Sequence, residues 1–135
     1  MTTTNYRETF IQVAVDCPVE QAEVPPARGA SQTVAQQQYE LIGNEPYAHT
    51  SDDVLFAVHA ARKGLTENLD AEREALFAKP QACLRSSPLA KRYGWGIHHD
   101  ARSRVALIPL GSDDYRRLSE DASIAQLTAL RSRRG

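Results

Sequence analysis

The sequence predicts an α+β fold: a small, mainly antiparallel sheet, made of an N-terminal strand and a C-terminal β-hairpin and covered by about four helices. Three observations predict it. Strand-like runs rich in β-branched and aromatic residues stand at "TFIQVAVD" and, much later, at "RYGWGIHHD" and "RVALIPL", while cap residues and helical spacing mark the stretches between and after them. The resulting order of strand, three helices, two strands and helix is not the strict alternation of a parallel α/β sheet. A chain of 135 residues, 41% apolar and 24% charged, suits a single domain with a packed core.

The first strand is expected over Thr9 to Asp16, with Phe10, Gln12 and Ala14 alternating against Ile11, Val13 and Val15. After it, "CPVEQAEVPPARGAS" holds three prolines and a glycine and reads as a stiff, irregular connection. The next stretch, "SQTVAQQQYELIGNEP", has caps at Ser31 or Thr33, apolar residues at Val34, Leu41 and Ile42, and a stop at Gly43, Asn44 and Pro46. "HTSDDVLFAVHAARKG" is a helix by its ends: Thr50 or Ser51 caps it, Asp52 and Asp53 suit its positive end, and Arg62 and Lys63 precede Gly64. Its centre, Val54 to Ala60, also fits a buried strand by composition. On the helical reading Val54, Leu55, Val58 and Ala61 share one face. A third helix, capped by Asp70, carries Leu69, Leu76 and Phe77 and ends at Pro80.

"QACLRSSPLAKR" reads as a positively charged loop. Arg92 to His99 and "RVALIPL" then form a hairpin turning at Asp100 to Ser103, with Pro109 marking an edge strand or a strand end. Ser112 caps a last helix, whose apolar side runs through Tyr115, Leu118 and Ala122 toward Ile124, Leu127 and Leu130. A flexible N-terminus over residues 1–5 and a frayed basic tail over 131–135 are expected.

Composition excludes several classes. Cys17 and Cys83 form no CxxC pair, so neither a zinc knuckle nor a redox motif is present, and free thiols in a reducing compartment are the expectation. "MTTTNYRETF" lacks the pattern of a secretory signal, and no run reaches the roughly 20 apolar residues of a membrane span, which points to a cytoplasmic protein. Net charge is −1, divided as −6 over residues 1–84 and +5 over 85–135. Halves of opposite sign attract on folding or leave a basic face.

The stretch "KRYGWGIHHD" concentrates the chain's chemistry. In a regular strand Tyr93, Trp95, Ile97 and His99 share one face, and Gly94, Gly96 and His98 the other. The adjacent histidines therefore point apart and do not chelate one metal ion, and no metal or cofactor is expected. The aromatic face suits a core. The glycine face leaves bare backbone for a close neighbour, either a helix or a ligand. On the ligand reading, His98 is a proton donor beside Gly94 and Gly96, and Arg85, Arg92 and Lys91 neutralise a small anion. His49, near Asp52 and Asp53, is a second candidate, for a general base, a metal ligand or a capping group, and His59 reads as structural. No GxSxG elbow, Walker loop or GxGxxG is present. Arg85, Lys91, Arg92, Tyr93, Trp95, Arg102 and Arg104 supply the basic and aromatic side chains of a single-strand nucleic-acid binder, but a slightly acidic chain disfavours that partner.

Taken together, "NYRETFIQVAVDCPVEQAEVPP", "YELIGNEPYAHTSDDVLFAVHAARKG" and "SPLAKRYGWGIHHDARSRVALIPLGSDDY" resemble a family of small bacterial proteins that is a domain of unknown function. The resemblance covers the chain to about Leu118 and implies a stand-alone domain, with no activity, cofactor or catalytic residue to carry over. Three readings follow: a non-catalytic binding or interaction domain, which leads; an enzyme or anion pocket at the glycine face; and single-stranded nucleic-acid binding. An edge strand also makes a homodimer plausible.

Overall fold

The structure, a computed structural model, describes residues 2–27 and 29–132. Its first strand, β1 (Thr9–Gln12), is shorter than the alternation suggests. Beyond Gln12 the backbone turns to other partners: Val13 N–H donates to the Tyr115 hydroxyl and Ala14 N–H to the Ala90 carbonyl. Val15, expected inside, is 68% exposed.

Helix α1 (Val34–Asn44) begins at Thr33, whose side chain accepts from Gln36 N–H in a capping box. Helix α2 (Ser51–Lys63) resolves the helix-or-strand ambiguity at Val54 to Ala60 in favour of helix. The ends decide it. Thr50 and Asp53 form a second capping box, Asp52 and Asp53 lie at the positive end, Arg62 and Lys63 at the negative end, and Gly64 closes the helix at φ +69°. Helix α3 (Leu69–Phe77) starts after Asn68, so Asp70 sits in its first turn and not at the cap.

The N-terminal residues, where flexibility is expected, are tied to these helices. Both Asp52 carboxylate oxygens are engaged: Thr4 N–H and hydroxyl donate to Oδ1 at 2.8 and 2.7 Å, and the Thr3 hydroxyl donates to Oδ2 at 2.6 Å. Thr2 N–H donates to the Phe77 carbonyl. Thr4, Ser51 and Asp52 are all buried. Met1 and the tail residues 133–135 lie outside the described residues.

Two stretches differ from the sequence expectation. "QACLRSSPLAKR" is a 3-10 turn (Leu84–Ser86) followed by a short helix, α4 (Pro88–Arg92), rather than a loop. The Ser-Pro pair that suggests a turn is a helix start: Ser87 Oγ accepts from Leu89 N–H and Pro88 occupies the first helical position. The expected long last helix is a short one, α5 (Asp113–Ser119), followed by a strand, β4 (Ala125–Thr128). Asp121 Oδ1 accepts from Ser123 N–H and hydroxyl in the turn between them. The i, i+3, i+6 spacing of Ile124, Leu127 and Leu130 fits a helix, yet β1 has an open edge that β4 fills by parallel pairing, Ile11 opposite Leu127.

With β2 (Trp95–His99) and β3 (Val105–Pro109) the sheet has the order β3-β2-β1-β4, mixed rather than antiparallel throughout. Both hairpin strands and β1 pair antiparallel, Phe10 opposite His98 and His98 opposite Ala106. One face carries Ile11, Ile97 and Val105 against Ile42 of α1, Val54 of α2 and Ala90 of α4. The opposite face buries Phe10, Ala106 and Ile108 beside Tyr115 of α5. Adjacent Phe10 and Ile11 are therefore both fully buried because the sheet is covered on both sides. The outer edge of β3 is engaged within the chain at its first residue, where Tyr47 N–H donates to the Val105 carbonyl and Val105 N–H to the His49 carbonyl. No helix among the described residues is long and apolar enough to cross a membrane.

Candidate functional site

Of the expected glycine face only Gly96 lies in a strand, because Arg92 ends α4 and the left-handed Gly94 precedes β2, and the chain itself fills the space at both glycines. A Cβ at Gly96 would lie 2.6 Å from Phe10 Cζ and 2.9 Å from Tyr115 Cε2, closer than carbon atoms approach. Gly94 has φ +79°, and a Cβ there would lie 2.9 Å from the Gln21 carbonyl and from Val19 of the irregular connection. Trp95 joins that packing by donating from Nε1 to the Glu23 carbonyl and leaning on the Tyr39 ring, centroids 5.4 Å apart. The bare backbone read as room for an anion is thus close packing of aromatic rings and of residues 19–23.

The cations meant to serve that anion stand apart from it. Arg85 donates from Nε to the Thr128 carbonyl at 2.8 Å, tying the 3-10 turn to β4. Arg92 lines a separate cleft of about 500 Å³ with Asp16, Pro18 and Ser132. His98 Nδ1 and the Tyr47 hydroxyl are 2.8 Å apart, the rings edge to face. Burial lowers the His98 pKa below its ordinary value, with Asp100 and Asp121 opposing. Neither His98 nor Tyr47 lines this cleft or the groove described below.

His99 points to the other face, as the alternation requires, and is fully buried against Tyr6, rings perpendicular at 5.3 Å. Neither ring nitrogen has a hydrogen-bond partner among the described residues. Burial drives its pKa down to about 4; the Ile97 backbone and Asp100 oppose this without supplying a bond of normal geometry. Beside it the Tyr6 hydroxyl and the Cys83 thiol are 3.1 Å apart, and burial together with that contact pushes Tyr6 up to about 12. A phenol that holds its proton and a histidine that refuses one suit packing, not proton transfer near neutrality.

His49 does not meet Asp52 or Asp53. Its Nε2 lies 2.6 Å from Glu45 Oε2, while Asp52 binds the N-terminal residues and Asp53 pairs with Arg73 at 2.9 Å. His59 lies beside Phe56 on α2. Among the described residues no three His, Cys, Asp or Glu side chains gather to hold a metal ion.

A further concave surface lies between α1 and α2. A groove of about 370 Å³ has an apolar floor of Leu41, Ala57, Val58 and Ala61, with Gln37, Glu40, Asn44 and Glu45 along its walls. It runs into a neighbouring recess of about 350 Å³ that shares Gln32, Gln37 and Ala61 and adds Arg62 and Ser31. Arg62 Nη1 donates to the Gln32 carbonyl at 3.1 Å and lies 3.4 Å from Gln37 Oε1, and Gln32 Nε2 donates to Glu40 at 2.8 Å.

The full sequence matches a family of unknown function, DUF6157, over residues 1–135. The chain belongs to that family. No curated protein and no solved structure matches it. Membership in DUF6157 agrees with the resemblance carried by the three long phrases and extends it through the C-terminal strand.

For this DUF6157 chain the groove residues escape a reading based on reactive side chains. Ala57 and Ala61 fit the apolar stripe of α2, and Ala61 is counted on its buried face, yet both are exposed. The signal available in sequence is a pair of alanines four apart on α2 facing the amide-rich run "QQQ" on α1. Only the antiparallel packing of the two helices turns that pattern into a groove.

Proposed function

We propose that this protein is a non-catalytic interaction module whose α1–α2 groove receives a segment of a partner polypeptide. The observation that carries the reading is the exposed floor of Ala57 and Ala61 between walls of amide side chains. Small floor residues allow a backbone to approach closely, and Gln32, Gln37 and Asn44 each offer donors and an acceptor to its amides. A volume of about 370 Å³ is at the small end for a ligand pocket, and an open trough suits a chain passing along it. The groups with displaced proton affinity, Tyr6, Tyr47, Asp53, His98, His99, Tyr115 and Asp121, all lie outside the groove, so an acid-base constellation does not compete with binding there.

The test is selection of random heptapeptides displayed on phage against the wild-type protein and against Ala61→Arg. Position 61 is exposed, so the arginine fills the trough without entering the core. Enrichment on the wild type and its loss on the variant are the expected result. Peptides that bind both proteins equally, or no enrichment at all, would overturn the reading.

A further inference from the structure

The two helices that form the groove treat their own dipoles in opposite ways. Helix α2 has acidic residues in its first turn and basic residues in its last. Helix α1 has no acidic residue in its first turn and no basic one in its last, and its C-cap position is Glu45. A carboxylate at the negative end of a helix is electrostatically unfavourable. His49, one turn away in sequence, meets that carboxylate through Nε2 to Oε2 at 2.6 Å and leaves the Glu45 side chain 58% exposed. The groove therefore ends in a site where an added cation is favoured twice, by Glu45 and by the helix terminus.

The other end holds a cation, Arg62, with the nearby Glu40 carboxylate taken by Gln32 Nε2 at 2.8 Å. Arg62 directs Nη1 at the start of α1, and the remainder of its guanidinium fork makes no further hydrogen bond among the described residues. Gln37, which Arg62 approaches, is eight positions before Glu45, about 12 Å along the helix at ~1.5 Å per residue. An extended chain covers that distance in about four residues at ~3.3 Å each.

Resting on the groove reading above, we propose that the bound segment is an extended peptide with a basic side chain at Glu45 and a carboxylate about four residues away, on Arg62. The carboxylate is either a side chain or the chain terminus; both present the same planar partner to the guanidinium fork. The direction of the peptide follows from the charges, since the reverse arrangement sets carboxylate against Glu45 and cation against Arg62.

The test uses the heptapeptides enriched on the wild-type groove. Their aligned sequences are expected to carry Lys or Arg about four positions from Asp, Glu or a free terminus. Arg62→Glu is expected to weaken such a peptide roughly three- to tenfold, and replacing the peptide's carboxylate by lysine is expected to restore binding to that variant. Glu45→Lys is the matching reversal at the other end, with a melting temperature no lower than the wild type's as the control for folding. Comparing free and amidated termini then assigns the carboxylate. Peptides that require the open groove but show no charge spacing, or variants that weaken all peptides alike with no rescue, would overturn this inference while leaving the groove reading intact. Absence of groove-dependent peptides overturns both.

Discussion

The Gly96 backbone lies so close to the buried Phe10 ring that a Cβ would meet Cζ at 2.6 Å and Cε1 at 2.8 Å. Phe10 is fully buried and is held edge to face by Tyr115, centroids 5.0 Å apart, so it has no room to retreat. Gly96→Ala is therefore expected to destabilise the protein by about 1–3 kcal/mol, the range for an overpacked core. Urea unfolding checks it. An unchanged midpoint would mean that the face is open, as the ligand reading of "YGWG" requires.

His99 makes stability depend on acid. Its folded pKa, about 4, lies below the ordinary value of 6.5. Between these two pH values the unfolded chain takes up a proton that the folded chain refuses. Stability is then full above pH 6.5 and falls as the pH is lowered toward 4, by about 1.4 kcal/mol per unit and about 3 kcal/mol in all. His98, lowered mainly by burial, acts in the same direction. Chemical denaturation between pH 4 and 7 should show a smaller slope for His99→Phe than for the wild type. Equal slopes would contradict the burial of a neutral imidazole.

Asp52 is the anchor of the N-terminal residues. Asp52→Ala leaves Thr3, Thr4 N–H and the Thr4 hydroxyl without their acceptor, with Thr4 buried at 5% exposure. The expected cost is about 2–4 kcal/mol, since hydrogen bonds to a charged acceptor are worth ~1.5–3 each and orphaned donors are penalised. Thermal melting measures the loss, and amide exchange at Thr4 should accelerate in parallel.

The Tyr47–His98 pair, by contrast, contributes little. It is exposed on the tyrosine side, at 37%, and Tyr47→Phe removes one hydrogen bond of 2.8 Å. A change of about 0.5–1 kcal/mol is expected. A larger loss in denaturant unfolding would show that the bond fixes the left-handed backbone at Tyr47, φ +59°.

Much of the fold was legible from local signals with a single physical meaning. Thr50, Asp53 and Gly64 mark both ends of α2 because capping is a property of a few adjacent residues. Alternation at Trp95 to His99 placed the two histidines on opposite faces, which holds. The failures have a common origin in long-range pairing. Ile124, Leu127 and Leu130 satisfy a helical period, and the open edge of β1, more than a hundred residues earlier, overrides it. At Ser87-Pro88 the same residues serve a turn or a helix start, and the buried Leu89 and Ala90 settle it.

The site was less legible than the fold. Sequence directs attention to reactive side chains, and here His98, His49, Arg85 and Arg92 are dispersed to four places. Gly94 and Gly96 gave a true signal of close approach, but the approaching groups are Val19, Gln21, Phe10 and Tyr115 of the chain itself. The groove depends on how two helices pack, and alanines and glutamines announce no chemistry of their own.

The most direct test of the account is an NMR titration of the isotopically labelled protein with a heptapeptide enriched on it. Amide and side-chain shifts are expected to be confined to Gln32, Gln37, Asn44, Ala57, Ala61 and their neighbours, with Trp95 and His98 unmoved. Shifts centred on Trp95 and His98, or on the Arg92 cleft, would contradict it.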